Sequence, residues 1–254
     1  MSTWSRMAAA TSAGCLVALI AVSIAGAAEI TAVAGMGPLP EVMGALIPPF
    51  ERASGHKVNI SYVGGPALVS AAKDGKADIV VTGIEAIDDL AKEGAVPAAN
   101  RANIFLSRVG VAVREGAPKP NIGTPEALKA ALVAAKTVAY SQGTSGQHFT
   151  TVIAKLGLVE ALKPKTLIVQ GRPVGAAVAS GEADIGVQQV AELMPVPGIT
   201  LIGELPKDLQ KIIVYTAAVP AKAKEQDAAK AFLKFLASEP AVAVFKSKGM
   251  NPPT

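Results

Sequence analysis

Two hydrophobic patterns alternate along the chain, and together they predict an α/β fold. Short apolar runs bounded by Gly, Pro and polar residues predict strands, whereas apolar residues recurring every three to four positions predict helices. The predicted strands are residues 30–34, 58–63, 78–82, 109–114, 137–140, 166–169, 184–187 and 212–219. The predicted helices are a segment that ends at Arg52, residues 67–73, 85–92, 125–135, 147–156, 174–180 and 223–236, and a last helix after Pro240. Because strands and helices alternate, we expect mostly parallel sheets with flanking helices.

An internal repeat predicts that this α/β fold has two lobes. At a constant offset of 106 positions, the matching residues are Thr31 and Thr137, Gly37 and Gly143, Val63 and Val169, Gly65 and Gly171, Gly75 and Gly181, and the stretches Ala77-Asp78-Ile79 and Ala183-Asp184-Ile185. We expect residues 29–108 with 216–254 to form lobe 1 and residues 109–215 to form lobe 2. Two crossover strands, 109–114 and 212–219, would join the lobes and act as a hinge that closes around a ligand.

The first 28 residues have the features of a cleavable secretory signal peptide. Arg6 supplies a positive charge, an apolar run extends from Ala13 to Ala25, and Ala25-Gly26-Ala27 matches a small-residue cleavage site. The apolar run is too short to span a membrane comfortably. Residues 1–28 are therefore predicted to be removed on export, which places the mature protein in the periplasm.

Composition excludes several classes of function. The chain has 24 Lys and Arg against 20 Asp and Glu, for a formal charge of +4, and no basic cluster that would grip a nucleic-acid backbone. Six Phe, three Tyr and one Trp are too few for base-stacking platforms. One Cys and two His exclude a thiolate zinc site and a His-rich metal centre. We expect no metal, no cofactor and no nucleic-acid partner.

Four loops follow strands at the edge where open α/β sheets bind ligands. Loop one is Gly35-Met36-Gly37, loop two contains Gly64, Gly65 and Ala67, loop three runs from Ser141 to Gly146, and loop four is Gly171-Arg172-Pro173. Backbone N–H groups at helix starts hold small anions, and glycine lets the backbone approach such a ligand closely. In loop three, three hydroxyls, an amide and two glycines add neutral donors. Capping of the next helix by Thr144 or Ser145 would explain only one of these hydroxyls.

Three further side chains extend the candidate site. The Arg172 guanidinium can clamp a carboxylate through two parallel hydrogen bonds, although it can equally be a solvated turn residue. Gln188 and Gln189 follow a strand end, so one should face the cleft while the other points away. The predicted ligand-binding residues are Gly35, Met36, Gly37, Gly64, Gly65, Ala67, Ser141, Gly143, Thr144, Ser145, Arg172, Gln188 and Gln189.

The order of these motifs resembles that of type II periplasmic solute-binding proteins, in the branch around the molybdate-binding proteins of ABC transporters. The similar stretches, from about Ile30 to Pro252, include Gly75-Lys76-Ala77-Asp78, 108–118 (RVGVAVREGAP), Val138-Ala139-Tyr140-Ser141 and 181–186 (GEADIG). The resemblance implies a two-lobed fold and delivery of a small anionic solute to a membrane permease. In that branch, serines of the first two loops hold the oxyanion, but the matching stretches here, 34–37 and 64–66, carry no hydroxyl. Gln188-Gln189 also stands where a tyrosine often occurs, so we expect no tight binding of molybdate or tungstate.

The second half is also similar to a subgroup that contains bacterial aconitate isomerase. The similar stretches are 108–118, Tyr140-Ser141, 188–193 (QQVAEL) and 195–198 (PVPG). This resemblance implies a tricarboxylate ligand and, as an alternative function, allylic proton transfer between cis- and trans-aconitate. Such transfer requires a positioned acid or base. The predicted loops contain no Asp, Glu or Lys, so His148 and Tyr140 are the candidates in that alternative.

This shortage of acid and base groups favours capture over catalysis. We therefore expect a monomeric periplasmic protein that captures a small anionic solute, either a carboxylate such as a di- or tricarboxylate or an oxyanion, between its lobes for an ABC-type transporter. An isomerase, a molybdate- or tungstate-binding protein and a sensor that presents its ligand to a membrane kinase are the alternatives.

Overall fold

The computed structural model describes residues 26–253. The strands are β1 (Glu29–Ala34), β2 (Lys57–Tyr62), β3 (Ile79–Gly83), β4 (Arg101–Arg114), β5 (Val138–Ser141), β6 (Thr166–Val169), β7 (Ile185–Gln189), β8 (Ile199–Glu204) and β9 (Ile212–Ala218). The helices are α1 (Leu39–Ser54), α2 (Gly65–Lys73), α3 (Ile84–Lys92), α4 (Pro125–Ala134), α5 (Thr144–Lys155), α6 (Val159–Leu162), α7 (Val174–Ala179), α8 (Val190–Leu193), α9 (Gln226–Leu236) and α10 (Glu239–Ser247). Most of the predicted signal peptide lies outside the described residues.

Amphipathic patterning explains how the helices pack. In α1, Val42, Leu46 and Phe50 lie on one face and are buried, as their spacing predicts, and the helix continues through Pro48 and Pro49. The Phe50 ring packs on Phe232 of α9, with 4.7 Å between ring centroids. The C-terminal helices therefore return to the part of the core that is built around the first strands.

The strands form two parallel groups within one connected path of pairing. In the first unit, β1 pairs in parallel with β2 and β3, and in the second unit, β5 pairs in parallel with β6 and β7. The path runs β2-β1-β3-β9-β4-β7-β5-β6, and β8 adds to β4. This arrangement confirms the predicted α/β fold with mostly parallel sheets.

Strand β4 belongs to both sheets and thereby joins the two units. Its residues 101–108 pair antiparallel with β9, whereas residues 109–114 pair with β7 and β8. Strand β9 pairs with β4 over residues 212–218 and with β3 over residues 215–218. The division into lobes at residues 108/109 and 215/216 stays a prediction.

Equivalent aspartates confirm the internal repeat. In the first unit, Asp78 Oδ2 accepts a hydrogen bond from the backbone N–H of Thr31 at 2.8 Å. In the second unit, Asp184 Oδ2 accepts from the backbone N–H of Thr137 at 3.3 Å. In each unit, therefore, an aspartate just before the third strand accepts a hydrogen bond from a threonine in or next to the first strand. The two aspartate–threonine pairs are 106 positions apart in the sequence.

Some predicted bounds were wrong, and three elements were missed. Helix α5 begins at Thr144 and not at Gln147, because Gly143 is its N-cap and accepts the first helical hydrogen bond from Gln147 N at 2.9 Å. Neither Thr144 nor Ser145 caps this helix. Strand β4 begins at Arg101, eight positions before the predicted strand, and β8, α6 and α8 were not predicted.

Candidate functional site

The carboxyl ends of the parallel strands place the predicted loops. In the first unit, β1 leads into loop one and β2 leads into loop two. In the second unit, β5 leads into loop three and β6 leads into loop four. Each set of loops therefore lies at one edge of its own parallel sheet, where open α/β sheets bind ligands.

Loop one touches the second unit, and Gly37 is the point of contact. Gly37 has φ +79°, a conformation that L side chains rarely adopt. A Cβ placed there would lie 3.0 Å from the hydroxyl oxygen of Tyr215 and 3.3 Å from Nε2 of Gln189. Because Gln189 ends β7, the ligand-binding edge of the first unit faces that of the second. We call Gly37, Gln189, Glu192 and Tyr215 the Gly37 contact.

The two adjacent glutamines point to opposite sides of β7, and both are buried. Gln188 Oε1 accepts a hydrogen bond from Val174 N at 2.9 Å and so satisfies the start of α7. Gln189 Nε2 instead donates to the Tyr215 hydroxyl at 3.1 Å. Of the two, Gln189 is the one that lies beside loop one.

Glu192 is the functional candidate that sequence reasoning missed. It lies in α8 directly after β7, and its Oε1 accepts a hydrogen bond from Gln188 Nε2 at 2.7 Å. Its Oε2 lies 4.0 Å from the position of a Cβ on Gly37. The one available signal was a single acidic residue within the apolar stretch Val190–Leu193 after a strand end. The expectation that the site contains no carboxylate was based on the four predicted loops, and Glu192 lies outside them. The structure corrects this expectation, because it places the Glu192 carboxylate beside loop one.

Burial perturbs both ionisable groups of the Gly37 contact. Desolvation raises the pKa of Glu192 to about 7, and hydrogen bonds from Gln188 and Gln189 oppose this rise. Desolvation also raises the pKa of the Tyr215 hydroxyl, which therefore stays protonated at neutral pH. Glu192 is thus the group of this contact that changes its charge near neutrality, and it can give or take a proton there.

Loop three packs closely against the strand that precedes it. A Cβ on Gly146 would overlap the carbonyl oxygen of Ser141, so only glycine fits there. Ser141 Oγ accepts a hydrogen bond from Gly143 N at 3.3 Å. Thr144 is exposed, and Ser145 is buried with 1% exposure. With glycine as its N-cap, α5 presents first-turn N–H groups that no side chain of the described residues caps.

Loop two is more open than loop one. Gly64 is the N-cap of α2, and Gly64, Gly65 and Ala67 are all exposed. A Cβ on Gly64 or Gly65 would have no neighbour within 4 Å in the described part of the chain. Loop two therefore has open space beside the start of its helix, and Gly64 and Gly65 approach no residue of the second unit in the described part of the chain.

Arg172 of loop four is paired within its own unit. Its NH1 and NH2 donate to the two carboxylate oxygens of Glu182, at 2.8 and 2.5 Å. The guanidinium holds the pKa of Glu182 at about 2, with help from Ser180. This pair is exposed to solvent and uses two of the five N–H donors of the guanidinium. The role of Arg172 as a clamp stays a prediction.

His148 and Tyr140, the candidates for catalysis, have structural contacts. The Nε2 atom of His148 lies 2.7 Å from the carbonyl oxygen of Leu209, in the segment that connects β8 to β9. The Tyr140 ring packs edge-on against Phe149, with 5.3 Å between centroids. A catalytic role for either residue stays a prediction, and Glu192 is placed better between the two units.

Two surface cavities lie away from the loops. The larger, about 340 Å³, is lined by residues that include Val113, Arg114 and Asp184. Asp184 precedes β7, so this cavity lies at the opposite end of the parallel strands from the Gly37 contact. The smaller cavity, about 230 Å³, is lined by α2, the 93–95 turn and residues 221–222.

Residues 26–253 contain neither a candidate metal site nor a membrane-spanning helix. No group of three or more His, Cys, Asp or Glu side chains in this range is placed to hold a metal ion. No helix in the range is long and apolar enough to cross a membrane.

The parallel units, the shared β4 and the facing ligand edges define a type II periplasmic binding-protein fold. The family model described as bacterial extracellular solute-binding protein matches residues 31–251. The chain therefore belongs to the bacterial extracellular solute-binding proteins, which confirms the resemblance inferred from the motifs.

Relatives and solved structures agree with this assignment. The chain is 34% identical to the aconitate isomerase of a Pseudomonas species, over 85% of this chain and 84% of that protein. It is 30% identical to the molybdate-binding protein of Azotobacter vinelandii, over 96% of each chain. The substrate-binding domain of a putative molybdenum ABC transporter from Clostridium difficile superposes with a TM-score of 0.75 at 21% identity, over 90% of this chain and 100% of that chain. At 21% sequence identity, this superposition shows that the two proteins share a fold.

Proposed function

We propose that the protein captures a small anionic solute between its two units and delivers it to an ABC-type permease. The observation that carries this proposal is the Gly37 contact, where the loop after β1 lies against the end of β7. A solute bound between these edges would touch both units and would stabilise their approach.

The donors near these edges favour an anion. Loops two and three each lead into a helix whose first-turn N–H groups have no side-chain cap among the described residues. Such groups carry partial positive charge and bind anions without a buried cation. Ser141, Thr144 and Ser145 add hydroxyl donors at loop three.

A carboxylate is the favoured class of anion. Residues 34–37 and 64–66 supply no hydroxyl, whereas loop three supplies several, so the donors are distributed unevenly around the site. An uneven site suits an elongated di- or tricarboxylate better than a compact tetrahedral oxyanion. The relative that is named aconitate isomerase supports this choice, and the relative that is named a molybdate-binding protein supports an oxyanion instead.

Residues of the four loops and of β7 would contact the solute. The proposed set is Gly35, Met36, Gly37, Gly64, Gly65, Ala67, Ser141, Gly143, Thr144, Ser145, Arg172, Gln188 and Gln189, to which we add Glu192. Within this set, Gly35 N already donates to Val81 O at 2.8 Å, so this residue would act by giving the ligand space rather than by donating a hydrogen bond.

The cellular setting belongs to the same proposal. Residues 1–28 would be removed on export, and the mature protein would act as a periplasmic monomer that docks on its permease. The family assignment and the apolar run from Ala13 to Ala25 support this setting.

Titration calorimetry on a protein that begins at Glu29 tests the function. The solutes are trans-aconitate, cis-aconitate, citrate, sulfate and molybdate. We expect saturable binding of at least one carboxylate, weakened by more than about 1 kcal/mol in Thr144→Ala/Ser145→Ala, because hydrogen bonds to a charged ligand are lost. Thr150→Ala, later on the same helix with its hydroxyl bonded to Gln147 O, is the matched control. Absence of binding to all five solutes would refute the proposal, and tight binding of molybdate alone would overturn the choice of carboxylate.

A second candidate function is isomerisation of aconitate, and Glu192 is the observation that favours it. An allylic shift removes a proton from one carbon and returns it to another, which a single carboxyl group near pKa 7 can do. Incubation with either isomer and measurement of the ultraviolet spectrum would reveal interconversion. We expect Glu192→Gln to abolish any such activity while it leaves binding in place, and an unchanged rate would exclude Glu192 as the base.

A further inference from the structure

The two carboxylate oxygens of Glu192 have different surroundings. Oε1 is held by the Gln188 amide at 2.7 Å, and Gln188 is itself held by the N–H of Val174 at 2.9 Å. Oε2 is directed toward Gly37, 4.0 Å from the Cβ position of that residue. One oxygen is therefore fixed by the second unit, and the other faces the ligand edge of the first.

No cation is paired with Glu192 among the residues that the structure describes. Helix α8 packs on β4, β7, β8 and α7, and its end meets the turn at Gly249 after α10. Three cations on or beside these elements or on the nearby α3 side pair with other carboxylates, as Arg108–Glu204, Lys248–Glu41 and Lys211–Glu85. Two others, Lys207 and Lys246, are exposed to solvent. Arg114, at the far end of β4, lies beside Gly181. The groups that face Glu192 directly are the neutral amides of Gln188 and Gln189 and the hydroxyl of Tyr215.

An ionised Glu192 would therefore oppose the ligand that we propose. Two anions held in contact within a partly buried site repel each other strongly, because little water screens them. A protonated carboxyl group has the opposite effect, since its O–H donates a short, charge-assisted hydrogen bond to the anion. The position of Oε2 is compatible with anion binding when this oxygen carries a proton.

We propose that Glu192 binds the anionic group of the solute through a shared proton, so that capture takes up a proton from solution and release returns it. This inference rests on the proposed function, because it assumes that the solute is an anion. The proton leaves a buffer acid, becomes bonded to Oε2 and is donated to a ligand oxygen, and no other bond forms or breaks. Burial, which raises the pKa of Glu192 to about 7, makes the ligand-free group half protonated near neutrality.

Proton uptake gives the proposal a measurable signature. Well below pH 7 the carboxyl group is already protonated, so binding should neither take up a proton nor depend on pH. Above pH 7 each anion should bring one proton, and the dissociation constant should rise by up to tenfold for each pH unit.

The experiment is titration calorimetry of trans-aconitate and sulfate in two buffers that differ in ionisation enthalpy. At about pH 8 we expect the heats to differ by the ionisation heat of nearly one proton for each anion, and at about pH 5.5 by almost none. Glu192→Gln keeps a neutral side chain of the same shape, so it should bind without proton uptake and with a flat pH profile. Glu160→Gln, an exposed carboxyl group in α6, is the matched control and should behave like the unaltered protein.

An infrared measurement without ligand separates the possible failures. The carbonyl stretch of a protonated carboxylic acid should be present at about pH 6, lost at about pH 8.5, and absent from Glu192→Gln at both values. Binding without proton uptake at about pH 8, or uptake that persists in Glu192→Gln, would overturn the role of Glu192 and leave the proposed function standing. If no anion binds although the infrared band is present, the proposed function fails, and the shared proton fails with it.

Discussion

The raised pKa of Glu192 predicts a pH-dependent change in stability that Glu192→Gln should abolish. Below pH 4.5 the carboxyl group is protonated in both folded and unfolded protein and has no effect. Between 4.5 and about 7 the unfolded chain ionises while the folded protein keeps its proton, so stability falls as pH rises, and above 7 the loss is complete. The rise from 4.5 to about 7, at about 1.4 kcal/mol per pKa unit, corresponds to roughly 3 kcal/mol as an upper estimate.

Glutamine cannot ionise, so the variant should lose this penalty. Its Oε1 can still accept the hydrogen bond from Gln188, which keeps the local contact. Urea unfolding followed by circular dichroism at about pH 4, 6 and 8 measures the difference in free energy between variant and unaltered protein. We expect that difference to move by up to about 3 kcal/mol in favour of the variant between pH 4 and 8. A difference that stays constant with pH, as expected for Glu160→Gln, would refute the buried, uncharged state of Glu192.

Four more substitutions test other parts of the structure. Gly146→Ala should destabilise the protein by several kcal/mol in the same unfolding assay, because its Cβ would overlap the Ser141 carbonyl; a loss below about 1 kcal/mol would contradict this packing. Asp78→Asn should cost about 1–3 kcal/mol, since both of its carboxylate oxygens accept backbone hydrogen bonds. Asp184→Asn should cost less, because one oxygen accepts both of its bonds, and equal costs would contradict this explanation. Arg172→Ala should weaken binding of a carboxylate by more than about 1 kcal/mol in calorimetry. An unchanged affinity would show that Arg172 pairs with Glu182 and does not bind the solute.

Local patterns predicted the parallel units well, because their signals lie close together in the sequence. Thr124, directly before the predicted helix 125–135, caps α4, with its hydroxyl accepting from Ala127 N at 3.1 Å. The half of β4 before Val109 was missed because Asn103, Ser107 and Arg108 interrupt its apolar alternation. Strand β8 was missed because it is only half buried and contains Gly203.

The candidate site was predicted only in part, for a different physical reason. Loop one could be inferred from its glycines, since Gly37 needs a conformation that few residues adopt. The partners of Gly37 could not be inferred, because Gln189, Glu192 and Tyr215 come near it only through pairing of distant strands. The pKa of Glu192 depends on that burial, and therefore no local pattern reveals it.

A fluorescent reporter in loop one tests most directly whether the solute binds between the two units. Trp4, in the predicted signal peptide, is the one tryptophan of the chain, so a protein that begins at Glu29 has none. Met36 is 60% exposed in loop one, and Val159 is 51% exposed at the start of α6, away from the loops. With an anion that binds in calorimetry, we predict a saturable change in the emission of Met36→Trp, with the same dissociation constant, and no change in Val159→Trp. Binding that leaves the emission of Met36→Trp unchanged would contradict capture between the two units.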